Sequence, residues 1–261
     1  MSNIRKPLLG ELLDYGNPFT KGLVGCWLMN EGSGNTVQDL SGNNYSGAII
    51  GPTWVGGNTG PALYFTTNDY VKFTNPRQFF GENFTIVFGA SYDSGGGGRI
   101  FDWDEFNNSG ISITLAATLN VEINYAGGAQ SKSSSWGTNP TDTFAQYAVV
   151  HTMPLNSQIE VFFNGGAKSA VFNYDHSLVL PGDTTEAYFG SNEGLTSFYK
   201  GHISYIYLYN RALSASEIQQ LYREPFCMFD RDPIELWSAA QGGGAPATTI
   251  LPQITSAYMG I

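Results

Sequence analysis

Apolar and polar residues alternate over short distances along most of the chain, and turn residues break the alternation every few positions. Phe84–Ala90 reads FTIVFGA, and Arg99–Trp103, Ile111–Leu115, Leu119–Tyr125, Tyr147–Thr152, Ile159–Phe163 and His202–Tyr209 are similarly rich in β-branched and aromatic residues. Runs of this kind, bounded by Gly, Asn, Asp, Ser and Pro, predict short strands. Phe162-Phe163-Asn164-Gly165-Gly166 predicts a hairpin, because Asn-Gly supplies the positive φ values of a two-residue turn. Helical signals converge at one place. Ser214 is spaced to accept from the amide of Glu217 while the Glu217 carboxylate reaches back, which is a capping box. Ile218, Leu221 and Tyr222 then share a face, and Pro225 ends the helix by Arg223. Many short strands without alternating helices predict an all-β antiparallel two-sheet sandwich with one short C-terminal helix.

The same pattern divides the chain into an N-terminal arm (1–21), a sandwich (22–223) and a Pro- and Gly-containing C-terminal tail (224–261). Arm and tail are extended but not polar, and a segment rich in aromatic and branched aliphatic residues is not a typical disordered one. Leu8, Leu12, Phe226, Phe229, Leu236, Trp237, Ile250 and Tyr258 are the expected docking residues. They lie either against their own sandwich or against a neighbouring copy.

Composition narrows the partners. Charged residues make up 13% of the 261 positions, and the net charge is -10, which argues against a nucleic-acid backbone as partner. No run of about 18 apolar residues occurs, so no membrane span is expected. Glu11 and Asp14 interrupt the N-terminus before any secretory apolar region can form. The chain is therefore expected on a virion or extracellular surface without a cleaved signal peptide. Cys26 and Cys227 are open to two readings: a disulfide, which needs Cα atoms within about 7 Å, or two unpaired thiols, the preferred expectation.

Several motifs resemble one family. Gly22–Gly42 reads GLVGCWLMNEGSGNTVQDLSG, and Gly201–Glu217 reads GHISYIYLYNRALSASE. With Pro61–Phe65 and Asn68–Val71 between them, these segments resemble the opening, paired and closing strands of laminin-G-like, concanavalin A-type lectin/glucanase jelly rolls. The resemblance covers Gly22–Arg223 and implies a two-sheet jelly-roll β-sandwich. It implies no single function, because one sandwich hosts many. Many relatives carry an acidic pair in the closing strand that helps hold a structural calcium. Ser204 and Tyr205 stand there in this chain, and Thr66 replaces an aspartate common before the polar turn. Asp39, Asn43 and Asp69 are left either as turn formers or as a depleted calcium site. No other cofactor is expected.

Catalytic chemistry is hard to place. Asp102 and Asp104 would share a strand face with Glu105 opposite, but the pattern differs from the family's Glu-x-Asp-x-x-Glu arrangement, and a solvated strand end is expected. His151, His176 and His202 show no metal-ligand spacing, and Ser94–Arg99 lacks the Lys and helix of a phosphate loop. The main expectation is a non-catalytic, self-assembling structural or decoration protein of a virion or extracellular assembly, whose partners are its own copies or other structural proteins. The alternative is a glycan-binding module for adhesion or host recognition. Its candidate contacts are Trp54, Trp103, Asp104, Asn107, Tyr125 and Trp136, since sugar rings stack on aromatics while Asn and Asp read hydroxyls. A polysaccharide-active enzyme is the third reading.

Overall fold

In the computed structural model of the protein, the residues described are 5–74, 83–104, 110–124, 132–136, 139–152, 157–167, 172–174, 186–192 and 195–229. Among them the strands are β1 (Leu23–Trp27), β2 (Thr36–Val37), β3 (Gly47–Ile50), β4 (Thr53–Gly57), β5 (Gly60–Phe65) and β6 (Tyr70–Phe73). They continue through β7 (Phe84–Tyr92), β8 (Gly98–Asp104), β9 (Gly110–Leu115), β10 (Leu119–Asn124), β11 (Lys132–Trp136) and β12 (Ala145–Thr152). The last are β13 (Ser157–Phe163), β14 (Gly166–Ala167), β15 (Phe172–Tyr174), β16 (Ala187–Phe189) and β17 (Gly201–Tyr209), and helix α1 (Ala215–Arg223) follows.

The strands build two antiparallel sheets, a jelly-roll sandwich. One sheet runs β14-β13-β12-β7-β17-β5-β4, with β1 also beside β17 and β15 beside β13. The other runs β11-β10-β9-β8-β16-β6-β3-β2. Between them lies a core containing Trp27, Phe65, Phe73, Phe88, Trp103, Ile113, Val121, Tyr147 and Phe189. The expected hairpin turn forms as read, with φ of 49° at Asn164 and 74° at Gly165.

The central strands β7 and β17 of the nine-stranded sheet are buried on both faces over most of their length. Alternation sends Ile86, Phe88, Ile206 and Leu208 into the inter-sheet core. Val87, Tyr205, Tyr207 and Tyr209 point the other way, into a second core. That is why β7 and β17 read as nearly continuous apolar runs. Helix α1 covers this second core with Ile218 and Leu221. Ser214 accepts from the Glu217 amide at 3.3 Å, and Glu217 Oε2 accepts from the Ser214 amide at 2.8 Å, so the capping box is present.

Residues from either end of the sandwich meet on its outer face. Leu13 bridges Phe229, the Asp14 amide donates to the Met228 carbonyl at 2.9 Å, and Asn17 Nδ2 donates to the Cys227 carbonyl at 2.8 Å. Phe226, Met228 and Phe229 are buried in the second core with Leu13 and Phe19. Phe226 and Phe229 are therefore core residues of their own chain, because Tyr205, Tyr207 and Tyr209 leave an apolar face that these segments close. Leu8 and Leu12 remain 74% and 71% exposed. Leu236, Trp237, Ile250 and Tyr258 lie outside the described residues. Cys26 and Cys227 are not joined in a disulfide.

Candidate functional site

Three strands place a polar row on the outer face of the nine-stranded sheet. Tyr64 of β5 stands opposite His202 of β17, which stands opposite Ser91 of β7. The Tyr64 and His202 rings lie 4.6 Å apart between centroids, and Ser91 Oγ lies 3.4 Å from His202 Nδ1. Tyr64 donates to Asp93 Oδ2 at 2.8 Å, and that bond pushes the phenol pKa up. The next outward position of β17 falls at a bulge between Ile203 and Tyr205. Ser204 occupies it, with its hydroxyl 3.1 Å from that of Thr59.

Of these residues Ser91, His202 and Ser204 floor a hollow of about 160 Å³, walled by Phe144, Asp142 and the β4–β5 hairpin at Gly56, Gly57 and Asn58. Asp142 holds a left-handed φ of 52° and accepts from the Ser94 amide at 3.3 Å. A carboxylate keeps further acceptor capacity after one such bond. The volume is well above the roughly 10–15 Å³ that one water needs, so the hollow has room for a small polar group.

A second recess, about 520 Å³, adjoins the first over Gly56 and Gly57. Trp54 lines it together with Gly32, Val55 and Pro61. The indole packs partly on the core and donates to the Gly34 carbonyl at 2.9 Å, which fixes its orientation. β4 is an edge strand, and a Cβ on Gly56 would meet nothing within 4 Å.

Among the expected glycan contacts, Trp54 and Trp103 belong to different sheets. Trp54 is at the site just described. Trp103 belongs to the other sheet and is 2% exposed, because the pleat of β8 turns it into the core; it is not a sugar platform. Asp104 ends β8 opposite Gly110, and Trp136 of β11 stands opposite Leu119. Asn107 and Tyr125 lie outside the described residues. Nor is Asp102 a solvated strand end. It is 2% exposed, and its Oδ2 lies 3.6 Å from Arg99 Nε. Arg99 Nη1 bonds Glu122 Oε2 at 2.7 Å and also Ser112 Oγ. The guanidinium between the two carboxylates makes this an internal charge network.

The weak calcium candidates act as turn formers. Asp39 accepts from the Cys26 and Ser41 amides on Oδ1 and from Tyr45 and Ser41 on Oδ2. Asn43 donates to the Val24 carbonyl at 3.0 Å. Asp69 Oδ2 accepts from both the amide and the hydroxyl of Thr66 at 2.7 Å. Among the described residues no group of three or more His, Cys, Asp or Glu is placed to hold a metal, and no helix is long and apolar enough to cross a membrane.

Sequence reasoning missed Tyr64, Ser91, Asp142, Phe144 and the role of His202. The available signal was a histidine interrupting an apolar closing strand; its partners required the strand register.

The sequence profile of the concanavalin A-like lectin/glucanases superfamily, laminin G type, matches residues 65–219. No curated protein matches the sequence. The fold is similar to the binding domain of Paraclostridial Mosquitocidal Protein 1, with a TM-score of 0.61 and 15% identity over 77% of this chain and 52% of that one. It is also similar to botulinum neurotoxin type C, whose cell entry depends on interaction with two ganglioside molecules (TM-score 0.59, 16% identity, 77% and 51%). A third likeness is Trypanosoma rangeli sialidase in complex with sialic acid (TM-score 0.56, 17% identity, 77% and 32%). The chain thus spans about half the length of the toxin chains and a third of the sialidase. At these identities the likeness establishes the fold.

Proposed function

We propose, from the premise that the chain belongs to the concanavalin A-like lectin/glucanase superfamily, that it is a non-catalytic glycan-binding module. Its site is the open β4 edge between the polar hollow and Trp54. The observation that carries this reading is the hollow floored by Ser91, His202 and Ser204 beside Asp142 and Phe144, with the Tyr64 ring packed against His202. Hydroxyl-reading groups and apolar ring faces converge there, as a sugar requires. Similar folds named for binding domains, for gangliosides and for sialic acid support the same class of ligand. The carboxylates of Asp102 and Glu122 are bridged by Arg99, an arrangement of an ion-pair network rather than of a glycoside-cleaving pair. The role places the chain outside the cell that makes it, on a virion or another surface that meets glycans.

The test is a glycan panel followed by calorimetry on native protein, Trp54→Ala and His202→Ala. Each variant is expected to keep its fold and lose about tenfold or more in affinity, the scale of a stacking or hydrogen-bonding contact. A panel hit whose affinity is unchanged in both variants would move the site elsewhere. No hit at all would remove the function.

One observation favours self-association as a second role. Leu8, Leu9, Leu12 and Tyr15 are between 66% and 74% exposed, a dense apolar group for a free surface. Light scattering of native protein beside the triple change Leu8→Ser, Leu9→Ser, Leu12→Ser decides it. Equal masses would dismiss assembly through the arm.

A further inference from the structure

Lys6 is a buried cation held entirely by the main chain. Its side chain is 7% exposed, and Nζ donates to the Ser204 carbonyl at 2.6 Å, to the Met29 carbonyl at 3.3 Å and to the Pro61 carbonyl. An ammonium carries three N–H donors and no acceptor, so three carbonyls satisfy it in full. The oxygens come from Met29 just after β1, from β5 and from the β17 bulge, and the lysine's own amide is fixed by the Thr59 carbonyl at 2.9 Å. Met29 adopts a left-handed φ of 46° while fully buried, an uncommon conformation for its type that aims its carbonyl at this point. Glu31 acts on Lys6 through its charge, and its Oε2 is buried with no hydrogen-bond partner.

The position is informative. Ser204 is where the family resemblance implies an acidic residue that helps hold calcium. Three neutral oxygens and one carboxylate do not fit that ion, which takes six to eight oxygens with several carboxylates. They do fit a single primary ammonium. We propose that the Lys6 ammonium is a built-in replacement for a structural metal ion. It closes the arm, β1, β5 and β17 around one positive charge and makes the fold independent of calcium. Ser204 also lines the ligand hollow, so the same charge braces the floor of the candidate site. Burial pushes the Lys6 pKa down to about 7 and Glu31 opposes this, so slightly acidic buffer holds the cation in place.

The experiment is thermal unfolding of the full chain near pH 6, with native protein, Lys6→Ala and Lys6→Met. Native protein is expected to unfold at the same temperature in EDTA and in excess calcium. Lys6→Ala is expected to unfold about 5–10 °C lower, the shift that losing a few buried bonds produces in a domain this size. It should recover part of that loss in n-butylammonium chloride but not in sodium chloride of equal ionic strength. Three results would overturn the proposal: stabilisation of native protein by calcium, the same recovery in both salts, or a Lys6→Met protein as stable as native. Should Lys6→Ala fail to fold, Lys6→Met keeps the methylene packing and removes only the charge; its stability alone then decides.

Discussion

Leu13 and Phe229 pair in an isolated antiparallel bridge that ties the N-terminal segment to the segment after α1. Both side chains are buried in the same outer core, so the two ends of the sandwich complete a layer that neither closes alone.

A chain cut to Gly22–Arg223 is therefore expected to be grossly destabilised. It loses Leu13, Phe19, Phe226, Met228 and Phe229 from the second core. Each large side chain contributes about 1.5–3 kcal/mol on burial, against about 5–15 kcal/mol for a whole domain. Urea unfolding of chains ending at Arg223 and at Phe229 measures the effect. Equal midpoints would mean that Phe226–Phe229 adds nothing.

Ser214→Ala is expected to cost about 1 kcal/mol, the usual value of a helix N-cap. The cap is also acid-sensitive. Partial burial raises the Glu217 pKa, but bonds from Arg211 and Ser214 outweigh it and hold the carboxyl below its ordinary value of 4.5. A depressed carboxylate contributes stability above the unfolded value, and that contribution is lost as pH falls through the folded one. The native-minus-variant difference should thus shrink below about pH 4.5. Denaturant titrations across the acid range check it; a difference constant with pH would separate Glu217 from the cap.

Asp142 borders the hollow, and Asp93 holds the neighbouring Tyr64. Two carboxylates near one small site disfavour a sugar acid, since like charges a few ångströms apart repel by about 1–4 kcal/mol at surface dielectric values. Glycans ending in neutral residues are expected to bind about tenfold or more tightly than their sialylated counterparts. Asp142→Asn should narrow the gap, and more so at low ionic strength. Tighter binding of the sialylated member by native protein would contradict the argument.

Gly190→Ala should destabilise the sandwich without touching the site. Gly190 has a φ of 84°, and an added Cβ would come within 2.4 Å of the Phe65 ring. Strain and overpacking of this kind cost about 1–3 kcal/mol each. Thermal unfolding measures the loss, and a native-like midpoint would show that Phe65 yields freely.

Much of the architecture was legible in the chain alone. Strands, hairpin turn and capping box are local: alternation, Asn164-Gly165 and the Ser214–Glu217 spacing act within a few residues of themselves. The motifs at Gly22–Gly42 and Gly201–Glu217 pointed to the jelly roll for the same reason. Which apolar residue covers which face was not local. Trp54 and Trp103 look alike as loop-flanking tryptophans, yet an edge strand leaves one half-exposed and the pleat of β8 buries the other. For Phe226 and Phe229 the sequence left two docking partners open, their own sandwich or a neighbouring copy, and the tyrosines of β17 supply the face they cover. His202 acquired its neighbours only when β5 and β7 paired on either side of β17. The chain by itself determined the elements, through short-range periodicity and turn chemistry. Tertiary structure decided the site and the Lys6 cage, because strand register and burial join residues that no sequence spacing relates.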